Sequence, residues 1–369
     1  MSRTLATPTM IAAPVHVREA SLALDGLMAA LCAWFQFGAY LDAWAHVHLP
    51  DLETFFTPWH AVLYSGFAAV AVTTLAVLLR NRAAGRPWQR AMPHGYGLTL
   101  VGVALFTAGG VGDMTWHLLF GVEADIEALL SPTHLLLALG STLILTGPLR
   151  AAWARSDVRR RGPMEHVPAL LSLSFLLSSF TFWTLYANPI ARPWAAPGNR
   201  PRSAMFELVA ADPAIRGATT SANFIAHGLG VASILVFAAL LAGIVLLATH
   251  RWGATLPAGS FALVFTINAL LMGFARDQLV LVPAVAAAGV ATDGLYAWLR
   301  PSRTRVATFR AFAFAVPTVY FAMYFSALAL TKGLWWSVHL WAGTIVLAGC
   351  VGWLLSYLAV PPATASSES

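Results

Sequence analysis

The chain has 369 residues, 58% of them hydrophobic and only 10% charged, with a formal net charge of +6 and a calculated pI near 9.7. Soluble proteins carry roughly 25% charged residues, and apolar runs of about 20 residues, the length that crosses a hydrocarbon core of roughly 30 Å, recur here from end to end, which excludes a soluble domain. The basic balance does not indicate nucleic acid, because the arginines cluster in short segments between apolar runs, the pattern of topology signals.

The runs are continuous and rich in Leu, Ala, Val and Phe rather than alternating, so spanning helices are expected, not barrel strands. The expected fold is an all-α integral membrane protein, a polytopic bundle of about ten transmembrane helices. Residues 1–20 form an N-terminal tail with Pro8, Pro14 and no apolar core of signal-peptide type. Four helices follow near 21–45, 57–80, 94–118 and 131–148. A basic segment, 149–166, leads to six more near 167–188, 222–249, 257–275, 279–299, 306–330 and 335–359, and residues 361–369 form a tail.

Three segments are strongly basic. They hold Arg80, Arg82, Arg86 and Arg90, then Arg150, Arg155, Arg159, Arg160 and Arg161, then Arg300, Arg303, Arg305 and Arg310. By the positive-inside rule all three face the cytoplasm. The loops 49–56 and 119–130 carry Asp51, Glu53, Glu123, Asp125 and Glu127 and no Lys or Arg, so they face outward. An even helix count then places both termini in the cytoplasm, in a multi-pass protein of the plasma (inner) membrane. The outer loop 189–221, with Pro189, Pro193, Pro197 and Pro201, is expected to be ordered but irregular. Cys32 and Cys350 each lie inside an apolar run and read as small buried hydrophobes, with no disulfide or thiolate metal site.

This topology sorts the histidines. His16, His94, His166 and His250 fall on the cytoplasmic side; His46, His48, His60, His117, His134, His227 and His339 gather near the outer ends of helices. Ionisable groups in a membrane are costly and tend to mark function. The pattern sharpens in the first four helices, where a parallel internal repeat is expected. Its first copy reads Asp42-Ala-Trp-Ala-His46, an acidic loop, Thr57-Pro58-Trp59-His60, and Gly66 six residues later. Its second copy reads Asp113-Met-Thr-Trp-His117, an acidic loop, Ser131-Pro132-Thr133-His134, and Gly140 six residues later.

Asp and His four apart share one helix face. Ser or Thr caps the return helix and Pro fits its first turn, which brings a second imidazole to the same level. Two histidines and a carboxylate make a ligand set for copper, zinc or non-haem iron with positions left open. Both imidazoles must be neutral to bind, so occupancy should fall at acidic pH. The candidate metal ligands are therefore Asp42, His46, His60, Asp113, His117 and His134. An ion-paired helix end would use the same residues. His48, Glu53, Glu123 and Asp125 are weaker candidates, read as solvated loop residues. His227 and His339 lack the upstream Asp-x-x-x-His and read as degenerate copies or hydrogen-bonding neighbours. Trp44, Trp59, Trp116, Trp335 and Trp336 fit an interfacial aromatic belt, and Arg276–Asp277 reads as a satisfied pair.

The second copy, Asp113-Met-Thr-Trp-His117 followed by Ser131-Pro132-Thr133-His134, resembles the Asp-x-x-x-His…Thr-Pro-x-His motif of the C subunit of particulate methane and ammonia monooxygenases. The resemblance implies that Asp113, His117 and His134, and by repetition Asp42, His46 and His60, bind copper, or zinc in some preparations, within the membrane. It covers about 20 residues per copy and none of the remaining chain. The loop between the two histidines is longer in the second copy, the motif is duplicated, and the helices are more numerous than that subunit leads one to expect.

Two functions compete at this stage. One is a membrane metalloprotein with outward-facing Asp/His/His sites, oxidising a small apolar substrate with copper; it would take electrons from a partner or a quinol, since no dinucleotide fingerprint or Cys cluster is present. Partners are then the bilayer, other membrane subunits and a reductant. The other is a transporter or metal-ion permease, in which His/Asp pairs carry a proton or metal. The inner halves of helices 1 to 4 are apolar apart from Asp25 and Gln36, and Asp293 is the best candidate for a path. Bis-histidine haem on His60 and His134 would leave the repeated Asp42 and Asp113 unexplained, and a purely structural membrane subunit completes the alternatives.

Overall fold

The computed structural model of the chain describes residues 19–49, 56–121, 126–155, 162–201 and 213–362. Among these, every regular element is a helix: α1 (Leu22–His48), α2 (Pro58–Ala83), α3 (Gly97–Phe120), the single turn α4 (Glu127–Leu130), α5 (Pro132–Leu145), α6 (Gly147–Ala154), α7 (Val167–Trp183), α8 (Pro213–Trp252), α9 (Ser260–Ala275), α10 (Val282–Leu299), α11 (Val306–Thr331) and α12 (Val338–Ala359). Eight helices are long and apolar enough to cross a membrane, and α5 with α6 makes a ninth if that pair, bent by 41°, is one span. The tenth expected span, α9, is apolar but has 16 residues, about 24 Å of helix. Large apolar side chains stand outward on these helices, with Val72 66%, Phe224 78% and Leu358 79% exposed. Such surfaces suit hydrocarbon rather than water.

The bend between α5 and α6 has a local cause. Pro148 stands in the first turn of α6, and a proline inside a continuous helix loses a hydrogen bond and clashes with the preceding turn. Ser172 of α7 serves the broken backbone: its hydroxyl donates to the Leu145 carbonyl at 2.5 Å and accepts from the Leu149 N–H at 3.2 Å. The segment 149–166, expected as a basic loop, thus begins inside α6, and residues 156–161 lie outside the described residues.

Two of its arginines are internal rather than topology signals. Arg150 donates to the carbonyls of Gly95 (2.9 Å) and Leu143 (2.7 Å) and to the Thr99 hydroxyl (3.0 Å). Arg155, 4% exposed, donates to the Ala20 carbonyl and pairs with Asp25, which also accepts from the Tyr96 hydroxyl at 2.7 Å. Asp25 is therefore matched inside the protein, as a charge in a low-dielectric site requires.

Two hairpins carry the motifs. α1 packs along α2 and α3 along α5, while α7 lies against α1, α5, α6, α8 and α9. Gly66 of α2 sits so close to α1 that a Cβ there would stand 2.8 Å from the Phe35 backbone; at Gly140 of α5 a Cβ would stand 2.7 Å from the Phe106 nitrogen of α3. Only glycine allows this approach. It brings the return helix of each hairpin within side-chain reach of the outgoing one. At the other face, α7 buries Ser172, Ser174, Ser178 and Thr181 at 0% exposure. Asn268 of α9 donates to Thr181 Oγ1 at 2.7 Å, and Tyr40 of α1 to the Ser178 carbonyl at 2.7 Å. These small and polar side chains join helices that have no hydrophobic effect to hold them together in lipid.

Candidate metal centre

Each triad is assembled by a helix end and a helix start. Asp42 and His46 lie one turn apart near the end of α1, and the His46 Nε2 to Asp42 Oδ2 distance is 3.7 Å. Thr57 caps α2, accepting from the His60 N–H at 3.2 Å, and Pro58 occupies the first turn. That cap places His60 in the first turn facing α1, with its Nε2 3.6 Å from Asp42 Oδ2. The Thr57 hydroxyl also meets His60 Nδ1 at 3.0 Å, which orients the ring with Nε2 toward the carboxylate.

The second triad is assembled in the same way on α3 and α5, except that its return-helix histidine presents Nδ1 rather than Nε2 nearest the carboxylate. His117 Nε2 lies 3.4 Å from Asp113 Oδ2, and His134 Nδ1 lies 3.5 Å from Asp113 Oδ1. Ser131 caps α5, its oxygen 3.4 Å from the His134 nitrogen, and meets His134 Nδ1 at 2.6 Å. The Gly121 carbonyl lies 3.3 Å from His117 Nδ1. A carbonyl only accepts, so Nδ1 is the donor there, and Nε2 is the nitrogen that faces the carboxylate.

These separations of 3.4–3.7 Å are longer than an N–H···O hydrogen bond of about 2.7–3.2 Å. They match the edge, about 3.4 Å, of a tetrahedron of ligands each about 2.1 Å from one metal. In each group of three the ligand atoms lie within 4.8 Å of one another. The structure thus brings together Asp42 with His46 and His60, and Asp113 with His117 and His134. The donor set, two imidazoles and a carboxylate, fits a divalent first-row metal with open positions.

The two triads differ in one contact. Thr133 Oγ1 donates to Asp113 Oδ1 at 3.1 Å. The corresponding residue of the first hairpin is Trp59, which packs on Trp44, and Asp42 Oδ1 is buried without a hydrogen-bond partner among the described residues. The first triad is also the more open, its His46 side chain 43% exposed against 17% for His117. The two hairpins are neighbours, joined by the edge-to-face contact of Phe35 with Phe106. Tyr64, one turn beyond His60, lies between the hairpins, its hydroxyl oxygen 3.1 Å from where a Cβ at Gly110 of α3 would stand. Trp183 of α7 flanks His134, with ring centroids 6.3 Å apart.

The other candidates fall elsewhere. His48 accepts no role in the first triad; its Nε2 meets Asp277 Oδ2 at 2.5 Å, so Asp277 pairs across to α1 rather than with Arg276. Asp51, Glu53, Glu123 and Asp125 lie outside the described residues, as does the side chain of Glu127. His227 stacks on Trp335 at 4.4 Å and His339 is exposed; neither joins a triad. Trp336, read as part of an aromatic belt, is 4% exposed and packs within the core of the second half. Asp293 caps α9, accepting from the N–H groups of Phe261 (3.2 Å) and Ala262 (2.9 Å). Sequence reasoning missed Thr133 and the Gly121 carbonyl. Thr133 was visible as a hydroxyl beside His134, but only packing shows that it reaches Asp113.

No protein-family model, no curated protein and no solved structure matches the chain.

Proposed function

We propose that the protein is an integral membrane metalloprotein of about ten spans, whose first four helices are two copies of one metal-binding hairpin, with Asp42, His46, His60 and Asp113, His117, His134 as ligands. The observation that carries this reading is the spacing of both triads. In each, imidazole nitrogens stand around a carboxylate at the separation of ligands on one ion and beyond that of direct hydrogen bonds. Equivalent residues of the outgoing helices are 71 positions apart and those of the return helices 74, and the caps, prolines and close-approach glycines recur with them.

Copper is the metal favoured by the resemblance to the C subunit of the particulate monooxygenases, with zinc or iron as alternatives. Such an ion supplies redox or Lewis-acid chemistry at the outer membrane surface. The protein's own groups do the rest. Thr57 and the Gly121 carbonyl hold ring nitrogens so that the opposite nitrogen faces the carboxylate, Thr133 orients Asp113, and Trp183 covers one side of the second triad. Helices α7 to α12 act as scaffold or partner surface, with other membrane subunits and a reductant as partners. The N- and C-terminal tails are cytoplasmic, in a plasma (inner) membrane protein.

A permease is the second reading. The buried Ser172, Ser174, Ser178, Thr181 and Asn268 favour it, since they carry polar groups through the depth of the bundle. Asp293 no longer supports it, being engaged as a helix cap.

Metal analysis of the detergent-purified protein separates these. The wild type should carry metal, and the variants Asp42→Ala/His46→Ala/His60→Ala and Asp113→Ala/His117→Ala/His134→Ala should each lose about half of it while remaining folded. A wild-type protein that stays metal-free after reconstitution at neutral pH overturns the metalloprotein reading. Uptake of metal ions into proteoliposomes would then test the permease.

A further inference from the structure

At the end of the bundle opposite the triads, a cleft of about 470 Å³ opens between the start of α1 and the end of α2. One end is polar, with Arg80, Arg86 and Glu19; the wall beyond is apolar, with Leu27 and Val72 among its residues. The wall faces outward: Leu27 is 49% and Val72 66% exposed, and only 22% of the α2 span is buried inside the protein. In a helix of such hydropathy that surface meets lipid.

The polar end is held in place. Asn81, 6% exposed, donates to the Ala91 carbonyl at 2.7 Å and pins the chain that carries Arg86 against the end of α2. Neighbouring arginines are committed: Arg82 donates to the Arg86 carbonyl and lies 4.5 Å over the Trp88 ring, and Arg155 is paired with Asp25. Arg80 and Arg86 are not, among the described residues. Among the described residues no hydrogen bond or ion pair engages either guanidinium, or Glu19, whose single carboxylate leaves the cleft with an excess positive charge. Glu19 offsets one of the two guanidinium charges, and the planar donor forks of Arg80 and Arg86 suit phosphate oxygens.

We infer that this cleft binds one anionic phospholipid, its phosphate between Arg80 and Arg86 and an acyl chain along Leu27 and Val72. Free phosphate would use the arginines and leave the apolar wall uncovered. A zwitterionic lipid brings its own cation and gains less from the excess charge. Anionic headgroups are attracted to basic residues at a membrane surface, and the basic ends of these helices are the ones the positive-inside rule places beside the cytoplasmic leaflet. The inference does not depend on the metal reading.

Native mass spectrometry of the delipidated full-length protein tests it, titrated with phosphatidylglycerol or phosphatidylcholine of equal chain length. Phosphatidylglycerol should bind roughly tenfold tighter or more. Arg80→Gln/Arg86→Gln should bring it down to the phosphatidylcholine level, with thermal unfolding unchanged. Val72→Trp, which keeps both arginines and obstructs the wall, should weaken phosphatidylglycerol binding as well. Equal binding of the two lipids, or phosphatidylglycerol binding unaffected by the double variant, overturns the proposal. Displacement of bound lipid by an equal concentration of inorganic phosphate also overturns it, assigning the cleft to the free anion.

Discussion

Phe35 and Phe106 meet edge to face, their ring centroids 4.9 Å apart and planes at 85°, and each stands seven residues before the carboxylate of a triad. The backbone of each also receives the close-approach glycine of its own hairpin, Gly66 against Phe35 and Gly140 against Phe106. One aromatic contact therefore joins the two hairpins at the level where each is drawn tight.

That arrangement makes Gly140 a sensitive position for metal binding without being a ligand. A Cβ at Gly140 would stand 2.7 Å from the Phe106 nitrogen, so α5 must move away from α3. Gly140→Leu should lower stability by about 1–3 kcal/mol and reduce metal content, with loss from the Asp113 triad first. Thermal unfolding and metal analysis of the variant check it. Unchanged metal content in a destabilised protein would show that the triad does not depend on the approach.

Thr57 should matter to metal binding through His60. Its hydroxyl both caps α2 and meets His60 Nδ1, and groups that orient ligating histidines are worth about 10–100-fold in metal affinity. Thr57→Ala should weaken metal binding within that range, with about 1 kcal/mol of stability lost from the cap. Thr57→Ser, which keeps the hydroxyl, should restore both. Competition with a chelator of known affinity gives the number.

The two triads should not release metal together. Asp113 is 3% exposed and oriented by Thr133, whereas Asp42 has an oxygen that no side chain serves and His46 lies open. Dialysis against chelator should empty the Asp42 triad first. Thr133→Val should shrink the difference by loosening Asp113. Release in a single phase, identical in both triple-ligand variants, would count against the inequality.

The Asp25–Arg155 pair should be costly to break. Both residues are almost fully buried, and removing one partner strands the other charge, at about 3–5 kcal/mol. Arg155→Met should therefore destabilise strongly, and Asp25→Leu in the same chain should recover much of the loss. Chemical or thermal unfolding in detergent distinguishes the single from the double variant.

His48 tests the assignment from the other side. Its partner Asp277 is 67% exposed, and exposed ion pairs contribute about 0–1 kcal/mol. His48→Ala should leave metal content unchanged and stability nearly so. Loss of metal would place His48 among the ligands.

The sequence by itself determined the membrane-helical class and the six residues of the triads. Both are local: hydropathy integrated over one span needs no tertiary contact, and Asp-x-x-x-His or Ser/Thr-Pro-x-His fixes side chains within a turn of one helix. Tertiary structure decided the matters that depend on which helices touch. It showed that α9 is short, that the expected fourth span bends ahead of Pro148, and that Arg150 and Arg155 turn inward to partners on other segments. It separated His48, His227 and Asp293 from the site by giving each a neighbour distant in sequence. It also set the two triads apart, since Thr133 reaches Asp113 only because Gly140 lets α5 close on α3. Composition and periodicity report what one helix prefers; a distance between helices is set by the side chains that fit between them.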